Sequence, residues 1–196
     1  LDKTKNSFKI VNQINQINTN KIKTEFGDFI KLTVPYYSTN SEIGTPELPS
    51  LMKLISVPNG SEVDVNIINK ASKKIKLSDF GINDKILPNQ PSISKSANED
   101  EIIFHINESS YKIDDLSNEK LVSTEFLGKM RGVQLARIII SPFSYNPVKQ
   151  EIEVVTNLEI EIKFNLKNNQ SINQTYYSAE FEHLYKKCIN YLPPTP

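Results

Sequence analysis

Between Leu158 and Phe164 the chain alternates Leu158, Ile160, Ile162 and Phe164 with Glu159, Glu161 and Lys163. Successive side chains of a strand point to opposite faces, so this period of two describes a strand with one apolar and one charged face; a helix would repeat its apolar positions every three to four residues. The same alternation, or short β-branched runs bounded by turn residues, recurs along most of the chain. Leu51 to Val57 and Val63 to Ile68 flank Pro58-Asn59-Gly60-Ser61, a turn sequence in which Asn and Gly accept positive φ, and the pair is read as a hairpin. Glu151 to Val155 and Asn157 to Phe164 are read as a second hairpin, joined near Thr156-Asn157 and preceded by a turn at Tyr145-Asn146-Pro147. Phe29 to Val34, Ile75 to Leu77, Ile102 to Ile106 and Val133 to Ile140 supply further strands. So many short strands bury their apolar faces only against a second sheet or by closure, and the expected fold is all-β, a two-sheet antiparallel β-sandwich.

Two stretches depart from the alternation. The segment from Pro88 to Asp100 carries Pro, Ser and Asn where a strand needs apolar residues, and it is expected as a long exposed loop, of the kind that is usually functional or disordered. From Ser178 to Tyr191, Phe181, Leu184, Tyr185, Cys188 and Ile189 fall on one face at helical spacing. Ser178 stands at the N-cap, Glu180 and Glu182 in the first turn, and Pro193-Pro194 beyond the end, so a short amphipathic C-terminal helix is expected.

Length and charge narrow the function classes. The 196 residues fit one domain with a sizeable core. The 23 Lys+Arg balance the 23 Asp+Glu, which removes the electrostatic case for nucleic acid or an anionic membrane surface as partner. Apolar runs such as Ile138 to Ile140 fall far short of the roughly 20 residues of a membrane span, and the first ten residues lack the apolar stretch of a signal peptide. The single Cys188 forms neither an internal disulfide nor a cysteine-rich zinc site, and no cofactor or metal is expected.

The catalytic vocabulary is correspondingly thin. His183 and Cys188, five apart on the expected helix, point about 140° from each other and make no dyad there. Cys188 lies on the apolar face, where a small buried hydrophobe is the ordinary occupant. Glu99 to Glu101 and Asp114-Asp115 lack the spacing of a calcium loop. Four Asn-X-Ser/Thr tripeptides begin at Asn59, Asn107, Asn169 and Asn173, as chance allows in an Asn-rich chain. Gly128-Lys129-Met130-Arg131-Gly132 lacks the spacing of a phosphate loop and precedes a strand, so it is read as a turn or bulge. Near the centre of the long loop, Lys95 is flanked by Ser94, Ser96 and Ala97, side chains small enough to follow it into a narrow cleft. From residue types alone it is a solvated surface lysine.

Five motifs in order change that reading. Gly44-Thr45-Pro46-Glu47-Leu48-Pro49, then Met130-Arg131-Gly132, then Ser141 to Val148 followed by an alternating strand, then Ser178 to Tyr185, then Asn190-Tyr191 resemble the N-terminal prodomain of gingipain-type cysteine peptidases, caspase-like secreted enzymes of Bacteroidetes. The resemblance runs from about Phe26 to Tyr191 and leaves the first twenty or so residues unmatched. It implies a jelly-roll-like β-sandwich that assists folding of its peptidase and keeps it latent, and it assigns the catalytic His and Cys to a domain outside this chain. It further implies an inhibitory loop with a basic residue in the S1 pocket of the peptidase, and Lys95, with Ile93, Ser94 and Ser96 beside it, falls where that loop belongs. Lys129 and Arg131 are the alternative basic residues. On this reading residues 1–192 are one prodomain, divided into an N-terminal segment (1–25), a sandwich (26–177) and the helix (178–191). Its partner is the cognate peptidase domain, the isolated chain is a monomer, and the precursor is exported to the periplasm and then secreted or held at the cell surface. A non-inhibitory binding or architectural sandwich remains the alternative. The absence of Trp and the placement of Tyr and Phe within strand patterns argue against a sugar-stacking platform.

Overall fold

The structure, a computed structural model, describes residues 6–39, 41–93, 103–117, 120–130, 133–166 and 179–191. It is an all-β sandwich built around one long strand. The strands in chain order are β1 (Ser7–Gln13), β2 (Asn18–Thr24), β3 (Gly27–Thr33), β4 (Ser38–Thr39), β5 (Pro49–Val57), β6 (Ser61–Lys76), β7 (Lys85–Ile86), β8 (Val122–Met130), β9 (Val133–Ile140), β10 (Phe143–Asn146) and β11 (Glu151–Leu166). In the first layer β6 pairs with β11 along its whole length, while β1 and β10 share the opposite edge of β11. The second layer comes in two pieces, a β2-β3-β7 sheet and a β4-β5-β9-β8 sheet. Every pairing is antiparallel except the two-residue contact of β3 with β7.

The alternation reads out directly in packing. Leu158, Ile160 and Ile162 of β11 are at most 1% exposed and meet Phe8 and Ile10 of β1, Leu51 and Ile55 of β5, and Ile138 and Ile140 of β9. Towards the start of β11, Ile152 and Val154 join Phe143 and Tyr145 of β10 against Ile30, Leu32, Val34 and Ile86 from the other piece of the second layer. A single strand therefore contributes to both apolar clusters. At roughly 1.5–3 kcal/mol per fully buried aliphatic side chain, these faces are the main stabilising term.

Several local expectations are corrected. Thr156-Asn157 is no turn: β11 runs straight through, and a β-bulge there shifts its register against β6, with Val155 opposite Ser72 and Asn157 opposite Ala71. The Thr156 carbonyl accepts from Ile14 N at 2.9 Å, so the irregularity is satisfied without reversing the chain. Pro58-Asn59-Gly60 does turn, with Gly60 at φ +78° and Ser61 N bonded to Pro58 O. The strands it joins part into different layers, so it is a corner between sheets and not a hairpin. Val63 to Ile68 and Ile75 belong to one 16-residue strand, β6. Described residues of the 102–106 run, from Ile103 onward, form no strand. The segment set apart as 1–25 supplies β1 and β2 to the sheets.

The C-terminal helix is shorter than expected: a 3-10 turn over Ala179–Phe181 leads into one α-helical turn, α1 (Glu182–Tyr185), and then into tight turns. Its apolar face is the expected one, with Tyr185 and Cys188 buried. Asn190 pins it to the sheet, donating from Nδ2 to Ser56 O at 2.7 Å and accepting from Ser56 N at 2.8 Å, which covers an edge of β5 that would otherwise be open.

Candidate functional site

The sequence places its candidate site on the long loop after β7, and the structure describes both ends of that loop. Ile93 is 54% exposed. Ser94, Lys95 and Ser96 lie outside the described residues, as does Arg131. Lys129 is exposed on β8 opposite Gln134, beyond a bulge at Leu127 and a Gly128 at φ +118°, so it is part of a paired hairpin and not of the loop.

The two ends are tied to each other and to the sandwich. Gln90 reaches across the loop: its Oε1 accepts from His105 N at 2.9 Å and its Nε2 donates to His105 O at 2.7 Å. The same Nε2 lies 3.0 Å from Pro88 O and 3.3 Å from Asn89 O, so the amide stands among three backbone carbonyls and one backbone N–H. Below this contact, Gly44 bridges both stems through its backbone. Its N–H donates to Asn89 O at 2.8 Å, and its carbonyl accepts from Asn107 N at 2.9 Å. Asn89 answers through its own N–H to Thr45 O and its Nδ2 to Ser41 O. The returning stem is weighted by Phe104, whose ring stacks on Phe26 at 4.8 Å between centroids and tilts against Phe29 at 5.8 Å. The backbone of residues 105–107 thus spends its hydrogen bonds on Gln90 and Gly44, which is why no strand forms there.

On and beside these stems, exposed apolar side chains stand among exposed polar ones such as Glu42, His105 and Asn107. Ile43, Ile93, Ile103 and Ile106 are 53, 54, 71 and 40% exposed, and Phe26 is 63% exposed. Exposed branched residues gathered at one loop root are a feature of surfaces that meet another protein. Beside the stems an open cleft of about 470 Å³ is lined by residues including Glu42, Thr45, Ser110, Ser117, Lys120 and Tyr145. It holds no His or Cys, and among the described residues no three His, Cys, Asp or Glu side chains are grouped to bind a metal. Cys188 is 4% exposed, and burial pushes its thiol up to about 11, away from the thiolate a nucleophile requires. His183 is exposed on α1 with Nδ1 at 3.1 Å from Glu180 O.

Residues 1–189 match the family described as Propeptide_C25. This chain belongs to the Propeptide_C25 family. It is 32% identical over 193 residues to Lys-gingipain HG66 of Porphyromonas gingivalis, and equally so to a second Lys-gingipain of that organism, covering 95% of this chain but 11% of each relative. The solved structure of P. gingivalis gingipain K, determined for insight into zymogenic latency, superposes with a TM-score of 0.78 at 31% identity, over 84% of this chain and 90% of that one. The complex of the P. gingivalis RgpB pro- and mature domains shares the fold, with a TM-score of 0.77 at 21% identity over 97% of this chain and 95% of that one. What the chain matches is a propeptide domain and not a peptidase, and the match extends through the N-terminal residues that the motifs left uncovered.

Family membership gives the motifs a physical content. Gly44-Thr45-Pro46 is the backbone bridge between the stems. Ser141 to Val148 holds the stretch after residue 107: Ser117 N donates to Tyr145 O at 3.1 Å, Tyr145 N to Ser117 Oγ at 3.1 Å, and Asn146 Nδ2 to Asp114 Oδ1 at 3.0 Å. Asn190 is the C-terminal pin. Gln90, Phe104 and Phe26 carry no motif that marks them for this site; a polar residue set between Pro88 and Pro91, both poor strand formers, is the available signal for the first.

Proposed function

We propose that this domain is the inhibitory prodomain of a gingipain-like cysteine peptidase, holding its precursor latent and assisting its folding. In this reading residues 1–192 are the prodomain of a longer, exported precursor, and the segment centred on Lys95 enters the active-site cleft in the manner of a substrate. The Lys95 ammonium meets an acidic group at the base of S1, a charge-assisted contact inside a desolvated pocket. Ser94 and Ser96 leave the approach unobstructed, and Ile93 adds apolar contact at the rim. The observation that carries the reading is the tied loop root. Two stems tied to each other and to the sandwich, with Ile43, Ile93, Ile103 and Ile106 exposed on and beside them, suit a loop offered to another domain. The similarity to Lys-gingipain supports lysine as the residue preferred at P1.

The test is inhibition in trans. The 196-residue chain is titrated against its cognate peptidase domain and against mature Lys-gingipain. Removing a central anchor from a binding interface commonly costs 2 kcal/mol or more, so Lys95→Ala is expected to raise the inhibition constant about thirtyfold or further. Lys95→Arg is expected to retain inhibition better than alanine does. Full inhibition by Lys95→Ala would sink the assignment of Lys95, and loss on substituting Lys129 instead would move the site to β8.

A further inference from the structure

We infer that Gln90 is a positioning residue for inhibition, setting the spacing and direction of the two stems from which the segment 94–102 is presented. The inference rests on the proposed inhibitory role and adds a residue and a physical cause to it. Its basis is the pair of hydrogen bonds from one side-chain amide to both backbone groups of a residue fifteen positions away, Gln90 Oε1 with His105 N and Gln90 Nε2 with His105 O. A side-chain amide used in this way replaces one rung of a β-ladder. It joins two strands of chain that the local sequence, with prolines at 88 and 91, prevents from pairing by backbone alone. The other ties, Gly44 to Asn89 and Asn107 and Phe104 on Phe26, lie on the sandwich side or flank it. Along the first stem Gln90 is three residues from Ile93, and along the second His105 is two residues from Ile103, which makes this contact the last described tie between the stems before residues 94–102.

The consequence is preorganisation. A loop whose ends are free must be ordered by the peptidase on binding and can reorient once in the cleft, so it binds more weakly and is cut faster. A loop whose ends are held loses less entropy on binding, and its strands resist being drawn apart for turnover. Gln90 touches neither the S1 pocket nor the scissile bond and acts only through the stems.

The informative substitution is Gln90→Glu. It keeps the shape but turns the donor facing His105 O, Pro88 O and Asn89 O into a carboxylate oxygen set against three carbonyls. Gln90→Met, which keeps the length and removes both hydrogen bonds, is the milder second variant should the first fail to fold. Three quantities are read on the 196-residue chain: the melting temperature, the inhibition constant against the cognate peptidase, and the rate at which trypsin, a probe independent of that peptidase, cuts after Lys95. Gln90→Glu is expected to lower the melting temperature by its repulsion, and Gln90→Met, which sets no charge against the carbonyls, to lower it less, so inhibition and cleavage are read well below both midpoints. The inhibition constant is expected to rise about tenfold, the equivalent of about 1.4 kcal/mol in ordering the freed stems, and tryptic cleavage to accelerate about as much. In Gln90→Met, which has no acceptor for it, loss of hydrogen-exchange protection at the His105 amide checks that the contact has been broken. If that protection is lost while inhibition and tryptic cleavage stay at wild-type values, the inference is overturned. If wild type does not inhibit at all, the proposed function fails, and unchanged trypsin cleavage of the variants alone then decides against the role of Gln90.

Discussion

At Gly44 two requirements meet in one residue. The backbone sits at φ +83°, where a side chain is strained, and a Cβ built there would lie 2.9 Å from Asn107 N and 3.3 Å from Ile106 C, both backbone atoms of the returning stem. Gly81 has a comparable φ of +72° but nothing within 4 Å of its would-be Cβ. The pair separates conformational strain from close approach. Gly81→Ala is expected to cost about 1 kcal/mol from φ alone, while Gly44→Ala adds a backbone collision and is expected to cost about 2–4 kcal/mol. Urea unfolding of both variants measures the difference, and equal midpoints would show that the stems yield freely. Gly44→Ala should also weaken inhibition, because the displaced atoms belong to the loop root. Gly44 is legible in the sequence as part of a motif; only the fold supplies Asn107, sixty-three residues on, as the group it must avoid.

Among the elements, β11 was the most legible and the most misjudged. Its alternation correctly assigned Ile160 and Ile162 to the core and Glu159 and Glu161 to the outer face, because that distinction depends on a period read within one strand. Its length was not legible, because Thr156-Asn157 looks the same as a turn or as a bulge until the partner strand is known; β6 runs past it unbroken. The same limit explains Pro58-Asn59-Gly60, whose local geometry is right and whose strands nevertheless diverge. The loop after β7 was legible as irregular from its composition, whereas its tie through Gln90 depends on two residues fifteen apart and leaves no periodic trace. These differences make a stability prediction at this scale. Ile160→Ala removes atoms from a fully buried site against both layers and is expected to cost about 2–5 kcal/mol. Lys73→Ala, on the exposed outer edge of β6, is expected to fall within about 0.5 kcal/mol of wild type. Denaturant titration of the two variants tests whether β11 is the spine of the sandwich, and a small effect at Ile160 would contradict it.

Across the whole molecule, the two apolar clusters are joined through β11 and by Tyr37, which packs against both, so they should unfold together. Among the described residues, Tyr111, Tyr145 and Cys188 are buried acids held in their neutral form. Burial pushes Tyr145 up to about 12 and the Cys188 thiol up to about 11, and it raises Tyr111 as well, with Tyr145 adding to the effect. Tyr111 donates its hydroxyl to Ile86 O at 2.7 Å, a bond that ionisation would remove. Each group ionises more readily in the unfolded chain, near 9 for Cys188 and 10 for the tyrosines. Their contribution is therefore fully present below about pH 9 and declines as pH rises, through about 11 for Cys188 and 12 for Tyr145. For Tyr145, 1% exposed, a rise of about two units corresponds to roughly 2–3 kcal/mol at the alkaline limit. The urea midpoint should accordingly be level from pH 7 to 9 and fall steeply between 10 and 12, in one transition seen alike by far-ultraviolet and near-ultraviolet circular dichroism. Tyr145→Phe removes one titrating group and should flatten that fall while leaving the loop root, and with it inhibition at neutral pH, unaffected. A midpoint that holds through pH 12 would contradict the burial of these acids in neutral form, and two separate transitions would mean that the clusters on either side of β11 do not unfold together.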